Sequence, residues 1–451
     1  MASSRSSTRA DPVERAVAAW LATPLASRGP VAFALSGGRD SMALLDAGAR
    51  ALRERGRDAI AFHVHHGLQA GADAWSAHCA RECASRGVDY EERRVSVLRA
   101  PRSSVEAMAR DARYAALREL SRANGVTAIA LAHHQDDQAE TLLLQLGRGA
   151  GPAGLAAMPA EHVDDDGLAW CRPLLAVTRA EIAAYADAKA LRYVDDPSNG
   201  DTRWRRNAVR SVVVPAWSAV LPGYPATIAR AAEHQADAAA LLDALAERDA
   251  QDAGYDAAAG SFAAAALSAL GDARARNLMR WFLRRRRLPP PPAARLRAMV
   301  DQLARARDDA TVAIAHAGAI VGRHRGRVAV HAPAPHDYAA SWHGEAAVTL
   351  PHGELRFESV EGGGVDAARV GAGLSIRPRH GGERIRLAGE RTRRALKSIL
   401  RESSLPTWER DALPLVVAGD VLVAVPGIGV DEAWQAGPGL PGRLPVWRAR
   451  P

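Results

Sequence analysis

The sequence lacks several features that define large classes of proteins. It has only three cysteines in 451 residues, Cys79, Cys83 and Cys171, which are too few for a disulfide framework. No segment reaches the roughly 18 uncharged apolar residues that a membrane-spanning helix needs. The first residues, MASSRSSTRADP, are polar and lack the apolar core of a secretory signal. We therefore expect a globular cytoplasmic protein with no membrane partner.

Lysine is also scarce. The chain has 59 basic residues and a net charge of +8, yet only Lys189 and Lys397 are lysines, so the other 57 are arginines. Arginine suits phosphate and nucleic acid because its planar guanidinium group can bind two oxygens at once. A GC-rich coding sequence explains most of this skew, because it encodes arginine in place of lysine. The number of arginines alone is therefore a weak indication of a nucleic-acid partner.

The pattern of the chain predicts three regions. Short apolar runs alternate with helical periodicity over residues 1–214, which is typical of a doubly wound, mostly parallel α/β sheet of the Rossmann-like kind. Residues 215–335 carry long Ala/Leu/Arg-rich helical patterns broken by the run PPPP, and we expect a helical arm there. Residues 336–451 show short alternating runs with Gly and Pro, which predicts a linker and a small α+β domain.

The motif SGGRDS lies between a predicted strand, VAFAL, and a predicted helix. Two adjacent glycines allow a tight turn and a close approach of the backbone to an anion, while the following helix N-terminus offers free N–H groups. The spacing and the lysine of a Walker A loop are absent. We interpret the segment as a phosphate-binding loop rather than a simple capped turn. Its residues are Ser36, Gly37, Gly38, Arg39, Asp40 and Ser41.

A second polar group follows the fourth predicted strand, TAIALAHH. Ligands of doubly wound sheets bind beyond the carboxyl ends of the strands, so His133 and His134 are candidates for phosphate contact or acid–base work. Asp136 and Asp137 come next, at a helix start, where carboxylates also serve as caps. From the residues alone, capping and a functional role remain open for both aspartates.

Several segments together resemble one family. SGGRDS resembles the pyrophosphatase loop of the N-type ATP pyrophosphatases, or PP-loop superfamily. Further segments resemble the tRNA(Ile)-lysidine synthases of that superfamily: HVHHGL, EAMARDARYAAL, AHHQDDQAETLLLQLGRGAGPAGLAAMP, RPLL, LRYVDDPSNGDTRWRRNAVR and, near the C-terminus, RRALKSILRESSLPTWERDALPLV. The resemblance covers the N-terminal region and the end of the chain, and it is weak in the helical middle.

The resemblance implies a reaction, its substrates and its site. ATP would adenylate the carbon 2 oxygen of the wobble cytidine in an isoleucine tRNA with a CAU anticodon, and free L-lysine would then displace AMP. It implies ATP and Mg²⁺ as cofactors, with Asp40 and Asp137 as metal ligands. The catalytic residues that it implies are Asp40, Arg113, His133, Asp137 and Arg210. A homodimer is compatible with the sequence, which does not decide the oligomeric state.

Two alternatives remain at this stage. One is another PP-loop tRNA-modifying enzyme such as a thiolase, although Cys79 and Cys83 are four residues apart and form no C-x-x-C pair. The other is a non-catalytic tRNA-binding protein that keeps the ATP loop as a sensor. Basic residues around Trp281 and Trp408 are candidates for contact with the tRNA backbone, and this surface would lie in the helical arm and the C-terminal domain.

Overall fold

The computed structural model describes residues 11–67, 71–96, 105–195, 200, 202–307, 312–370, 373–403 and 405–449. Contacts divide the chain into two compact units, Met1–Leu241 and Leu242–Pro451. The boundaries near 214 and 335 stay predictions. No single helix within the described ranges is long and apolar enough to span a membrane, and one bent helix pair, Arg205–Val220 with Tyr224–Asp252, meets that test by length and composition only.

The first unit alternates strands and helices. Its strands are β1 Val31–Ala34, β2 Ile60–His65, β3 Asp89–Arg94, β4 Ala128–Ala130, β5 Glu161–Val163 and β6 Ala169–Cys171. Its helices are α1 Pro12–Leu21, α2 Pro24–Ser27, α3 Arg39–Arg53, α4 Ala72–Arg86, α5 Val105–Ala123, α6 Gln135–Leu146, α7 Pro152–Leu155, α8 Arg179–Ala188, α9 Arg205–Ala208 and α10 Val214–Val220. Helix α11, Tyr224–Asp252, begins in this unit and ends in the second.

The strands form one sheet in the order β3-β2-β1-β4-β6-β5. All neighbouring pairs are parallel except β5 with β6, which is antiparallel. The strand order reverses between β1 and β4, so the crevice at their carboxyl ends is where a doubly wound sheet binds its ligand. This confirms the predicted α/β class and places the loop after β1 and the histidines after β4 side by side.

Helix α3 packs against the sheet through a small residue. Gly48 lies over the ring of Phe33, and a Cβ atom at this glycine would collide with that ring. Phe33 is buried on β1, together with Leu44 and Leu45 of the helix. The close approach fixes how α3 leaves the loop after β1, and therefore where its N-terminus points.

The second unit contains helices and antiparallel sheets. Its helices are α12 Ala265–Ala269, α13 Gly271–Arg285, α14 Ala293–Arg305, α15 Leu396–Glu402 and α16 Thr407–Ala412. Its strands are β7 Ser261–Ala263, β8 Val312–His316, β9 Ala319–His324, β10 Arg327–His331, β11 Ala340–Trp342, β12 Ala347–Leu350, β13 Gly353–Glu361, β14 Val365–Asp366, β15 Leu374–Arg377, β16 Arg384–Ile385, β17 Arg394–Ala395, β18 Leu415–Ala418, β19 Val421–Val425, β20 Gly429–Val430 and β21 Pro441–Ala449.

The predicted helical region is present, and it also holds a sheet that the sequence analysis did not predict. Strands β7, β10, β9 and β8 form a four-stranded antiparallel sheet that shares a core with α13 and α14. Its strands are only three to six residues long and follow long Ala/Leu/Arg-rich helical patterns, so the helical periodicity dominated the pattern of this region. The C-terminal region forms a five-stranded and a four-stranded antiparallel sheet with two short helices, in line with the α+β prediction.

Candidate active site

A cavity of about 670 Å³ opens at the carboxyl ends of β1, β2 and β4. Most of the residues predicted from the sequence line it: Ser36, Gly38, Arg39, Asp40, Ser41, Arg113, His133 and Arg210. Of the remaining two, Gly37 shapes the loop after β1, and Asp137 lies on the first turn of α6. The structure therefore brings together, in one place, residues as far apart in the chain as Ser36 and Arg210.

The loop after β1 is closed by its own serines. The Ser41 hydroxyl donates to the carbonyl of Gly38 at 2.9 Å and accepts from the backbone N–H of Ser36 at 3.3 Å. Gly37 has φ of 84°, and a Cβ atom there would lie 3.0 Å from the sulfur of Cys79 on α4. A side chain at position 37 would therefore be strained by its backbone and crowded by its neighbour.

Helix α3 begins at Arg39 without a side-chain cap. Its N-cap residue is Gly38, and no side chain among the described residues hydrogen-bonds to the N–H groups of the first turn. Free N–H groups and the positive end of the helix dipole favour an anion at this point. The geometry is that of a phosphate cradle built from backbone and hydroxyl groups, as the motif predicts, and no lysine lines the cavity.

The first turn of α6 joins the aspartates to a buried histidine. His134 is the N-cap, and it forms a capping box in which its ring accepts from the N–H of Asp137 and the Asp137 carboxylate accepts from its backbone N–H. Because Nδ1 is the acceptor, the hydrogen-bond network assigns the proton to Nε2. That atom lies 3.5 Å from Asp137 and 3.6 Å from Asp40, so His134 connects α6 with the loop after β1.

The pKa of Asp40 is lowered in this environment. Burial alone would raise it, but the contact with His134 and the positive charges of Arg39 and Arg179 outweigh burial. The Asp40 carboxylate is about one-third exposed and faces the cavity. Asp40 is therefore ionised at neutral pH and accessible to a ligand.

A buried glutamate one turn along α6 is the centre of an arginine cluster. Glu140 is 1% exposed and accepts from Arg179, Arg206 and Arg210. Arg206 and Arg210 also donate to Asp137, at 2.9 and 3.3 Å. Burial raises the pKa of Glu140, but the hydrogen bond from Arg210 and the three positive charges lower it overall. The two carboxylates and three guanidinium groups stabilise one another.

An irregular helical turn directs Arg206 and Arg210 toward Glu140. Residues Val209–Val213 form a π-helical turn between α9 and α10, with the N–H of Val214 donating to the carbonyl of Val209. The wider turn sits where Arg206 and Arg210, four residues apart, both point onto Glu140. Such π-helical turns occur mostly at functional sites. Nothing in the spacing of the sequence predicts the turn, because it depends on these tertiary contacts.

One wall of the cavity carries Arg113 from α5 together with His66 and His133. Among the described residues, no carboxylate forms an ion pair with Arg113. Burial lowers the pKa of His133 to about 3 and that of His66 to about 4, and the charge of Arg113 adds to both shifts. The Nδ1 atoms of both histidines are buried without a hydrogen-bond partner in the described part of the chain. This wall offers one free cation and two neutral imidazoles to an anionic ligand.

The fit of Mg²⁺ can be judged from the two predicted ligands. Asp40 faces the cavity and has room for a cation beside the loop. Asp137 is different, because its Oδ1 accepts from Arg206 and Arg210 and its Oδ2 accepts from the N–H of His134. No group of three or more metal-ligating side chains occurs in the described ranges. Asp40 fits a magnesium ion shared with phosphate oxygens and water, as this metal prefers, whereas a metal role for Asp137 stays a prediction.

The cysteines are placed for packing. All three are buried and unpaired. Burial raises the pKa of Cys79 and of Cys83 to about 12 and that of Cys171 to about 11. Thiols with such values carry almost no thiolate at neutral pH, and the thiolate is the reactive form. The structure gives no support to chemistry at sulfur.

Several residues at the site were missed by sequence reasoning. Glu140 sits in the helical run AETLLL, where a glutamate normally faces solvent, and Arg179 follows a capping threonine as an ordinary helix residue. Arg206 lies in the segment LRYVDDPSNGDTRWRRNAVR, where it is one of several arginines. Their importance is visible only from their contacts with one another, which join residues 39 to 66 positions apart in the chain. Only the structure shows these contacts.

Several residues near the predicted nucleic-acid surface make contacts within the protein. Trp281 is 7% exposed, and Arg285 lies over its ring. This tryptophan therefore packs in the hydrophobic core that α13 shares with α14. Arg394 pairs with Glu390 and Glu402, and Arg393 pairs with the buried Asp431. Trp408 stacks on His331 at a centroid distance of 4.6 Å and lines a second cavity of about 1430 Å³ in the second unit.

Comparison with known proteins identifies three family segments. Residues 10–217 match the family model described as the PP-loop domain. Residues 262–329 match the TilS substrate binding domain, and residues 374–446 match the TilS substrate C-terminal domain. The first segment extends three residues past 214, the other two lie inside 215–335 and 336–451, and the domain boundaries themselves stay predictions.

Curated relatives match over nearly the whole chain. The tRNA(Ile)-lysidine synthase of Ralstonia nicotianae is 42% identical, over 89% of this chain and 89% of its own length. That of Burkholderia pseudomallei is 41% identical over 93% of each chain. That of Xanthomonas axonopodis pv. citri is 39% identical, over 91% of this chain and 93% of its own. Identity at this level over the full PP-loop domain and both TilS segments shows that the chain belongs to the tRNA(Ile)-lysidine synthase family.

Proposed function

We propose that this protein uses ATP to attach free L-lysine to carbon 2 of the wobble cytidine of an isoleucine tRNA with a CAU anticodon, forming lysidine. The observation that carries the proposal is the set of groups in one cavity at the carboxyl ends of the strands. The cavity holds the uncapped start of α3, the carboxylates of Asp40 and Asp195, and Arg113, which has no carboxylate partner among the described residues. The family relationship supports the choice of reaction.

The first step is adenylation of the base. The carbon 2 oxygen of the cytidine attacks the α-phosphorus of ATP, a P–O bond forms, and pyrophosphate leaves with the electrons of the bond that breaks. The uncapped N–H groups of α3 hold the phosphates, and Arg113 offsets the charge that develops on their oxygens. The neutral imidazoles of His66 and His133 donate hydrogen bonds and leave the local charge unchanged.

Mg²⁺ is proposed as the second cofactor. When bound, it neutralises charge on the phosphate oxygens. Asp40 is the protein group that faces the cavity beside the cradle, and its lowered pKa keeps it ionised. His134 holds that carboxylate from behind through Nε2, at 3.6 Å. We assign to Asp40 the role of positioning the metal, and to His134 the role of orienting Asp40.

The second step is attack by lysine. Its ε-nitrogen, once deprotonated, forms a bond to carbon 2, and AMP leaves with the electrons of the C–O bond. Asp40 and Asp195 are carboxylates that line the cavity and can accept hydrogen bonds from an ammonium group. Asp137 and Glu140 lie behind them and fix the arginines beside them. We propose that Arg210, which lines the cavity, acts in lysine binding and that Asp137 acts through Arg210 by fixing its direction.

The tRNA is bound by more than the catalytic unit in this proposal. Residues 1–214 hold the chemistry, whereas 215–335 and 336–451 contact the tRNA body. The segments that match TilS substrate domains lie in these two regions. We also propose a cytoplasmic location, which agrees with a tRNA substrate. A homodimer stays a prediction.

A tRNA-dependent ATP–pyrophosphate exchange assay tests the adenylation step. Radiolabelled pyrophosphate should enter ATP only when the isoleucine CAU tRNA is present and lysine is absent. An ATP-sensing tRNA-binding protein would bind both ligands but exchange no label. A thiolase would need a sulfur donor and a reactive cysteine, which the buried thiols do not offer. Absence of exchange with the wild-type protein would overturn the proposed function.

A further inference from the structure

Arg179 is a cation of the cavity that neither the family motifs nor the predicted catalytic set includes. It is the first residue of α8, and its backbone N–H donates to Asp136 at 2.8 Å. The carbonyl of Val177 accepts from the N–H of Gln135 at 2.9 Å, so the start of α8 is fixed to the start of α6. The backbone thus places the Arg179 side chain in the cavity between the loop after β1 and helix α6.

The arginines around Glu140 differ in how many of their N–H groups form hydrogen bonds. Arg206 donates from Nε to Glu140 and from Nη2 to Asp137. Arg210 donates from Nε and Nη2, making three contacts with the same two carboxylates. For the Arg179 side chain, the described residues provide one acceptor, Glu140, through Nη2 at 3.2 Å. Arg179 therefore keeps free donors on a side chain that lines the cavity.

The surroundings of Arg179 suit one end of a free amino acid. Its charge lowers the pKa of Asp40 and of Glu140, so it lies close to both carboxylates. A zwitterion needs a cation for its carboxylate next to anions for its ammonium groups. Arg113, which has no carboxylate partner among the described residues, lines the cavity with His66 and His133, where the phosphates are proposed to bind.

From these contacts we infer that Arg179 is a specificity-determining residue that binds the α-carboxylate of the incoming lysine. The inference rests on the proposed function, because it assigns a role in lysine binding. A guanidinium group suits a carboxylate because it can donate two parallel hydrogen bonds. The contact lets the site select an amino acid over a simple amine with the same reactive end.

The test compares L-lysine with L-lysinamide, which keeps the ε-amine but has a neutral amide in place of the carboxylate. The wild-type enzyme should use lysine roughly 10- to 100-fold better in kcat/KM, as expected for one charge-assisted contact. Arg179→Gln should raise the KM for lysine by a similar factor and leave lysinamide within about two-fold. Arg179→Lys, which keeps the charge, should recover part of the preference.

Two controls separate this role from others. Arg122→Gln removes an exposed arginine paired with Asp166 outside the cavity, and it should leave both substrates unaffected. The tRNA-dependent pyrophosphate exchange of Arg179→Gln should fall much less than its kcat/KM for lysine, because this step precedes lysine. A loss of exchange as large as the loss of lysine transfer would assign Arg179 to the phosphates or to the structure of the site and overturn the proposal.

Equal losses for lysine and lysinamide in Arg179→Gln would also overturn it, since they would indicate a purely structural role. So would a wild-type enzyme that does not distinguish the two amines. These outcomes differ from failure of the proposed function, in which the wild-type protein would show neither tRNA-dependent exchange nor lysine transfer.

Discussion

Arg210 donates to both oxygens of Glu140, with Nε 2.6 Å from Oε1 and Nη2 2.9 Å from Oε2. The acceptor is 1% exposed, and the donor lines the active-site cavity. A buried carboxylate in this position fixes the direction of an arginine that must act on a ligand. The pair links helix α6, which starts at the histidines after β4, to the π-helical turn Val209–Val213, which contains Arg210.

Glu140→Gln should destabilise the first unit and inactivate the enzyme. Removing one charge from a buried cluster leaves its partners uncompensated, which costs roughly 3 kcal/mol in the free energy of unfolding. Chemical denaturation of the full chain, followed by a probe in the first unit, measures this. Glu119→Gln is the control, because that carboxylate is 57% exposed and pairs with Arg93 at 3.6 Å, and it should change stability by less than about 1 kcal/mol. Equal effects of the two substitutions would contradict the account.

The same cluster predicts a dependence of stability on acid. The pKa of Glu140 is lower in the folded protein than in the unfolded chain. Its contribution to stability is therefore fully present above the unfolded pKa, and it is lost as the pH falls through the folded value. Thermal unfolding between neutral pH and about pH 3 should show a steeper loss in the wild type than in Glu140→Gln. A parallel loss in both proteins would rule out this contribution.

Gly37→Ala should weaken ATP binding and lower stability. The new Cβ atom would sit at φ of 84° and 3.0 Å from the sulfur of Cys79. We expect a loss of roughly 1–2 kcal/mol in unfolding free energy and a rise of at least about ten-fold in the KM for ATP. Gly38→Ala is the comparison for stability, since φ at Gly38 is −74° and its Cβ would make only an ordinary contact at 3.5 Å. Equal stability of the two variants would contradict the steric argument.

Much of the site could be predicted from the sequence because its parts are local. The strand, the SGGRDS turn and the helix after it lie within 23 residues. Their glycines, serines and helical periodicity are enough to predict this local structure. The helix start predicted at Asp136 and Asp137 agrees with α6, which begins at Gln135.

The rest depends on contacts between distant segments. Glu140, Arg179 and Arg206 look like ordinary surface residues until α6, α8 and α9 are packed together. His133 was favoured over His134, yet the structure gives His134 the contacts with Asp40 and Asp137. Which of two adjacent histidines turns inward after a strand depends on the last residue of the sheet, and strand ends are poorly defined by pattern alone.

The rate of adenylation should not depend on protonation of His133 near neutral pH. Burial lowers the pKa of this imidazole to about 3, so it stays neutral above that value. We expect kcat/KM for tRNA-dependent pyrophosphate exchange to be free of a His133 titration between about pH 5.5 and 8. His133→Asn keeps a polar group and should lower the rate without changing the shape of the profile. An acidic limb near the ordinary histidine pKa that disappears in this variant would contradict the assignment.

Replacing all three cysteines should preserve the activity. The thiols are buried and their pKa values are raised to between about 11 and 12, so none is a nucleophile or a sulfur carrier. The triple variant Cys79→Ala, Cys83→Ala, Cys171→Ala should transfer lysine at a rate within about three-fold of wild type, with some loss of stability from the smaller side chains. The assay is best run well below the melting temperature. Loss of turnover in a folded variant would revive the thiolase alternative.

Incorporation of radiolabelled lysine into tRNA tests the central claim most directly. Wild-type enzyme with ATP and Mg²⁺ should label the isoleucine CAU tRNA and leave the methionine CAU tRNA unlabelled. Asp40→Ala should label neither, while its affinity for the isoleucine tRNA stays within about three-fold of wild type, because the RNA contacts are proposed to lie elsewhere. Labelling of both tRNAs, no labelling by the wild type, or full labelling by Asp40→Ala would contradict the account.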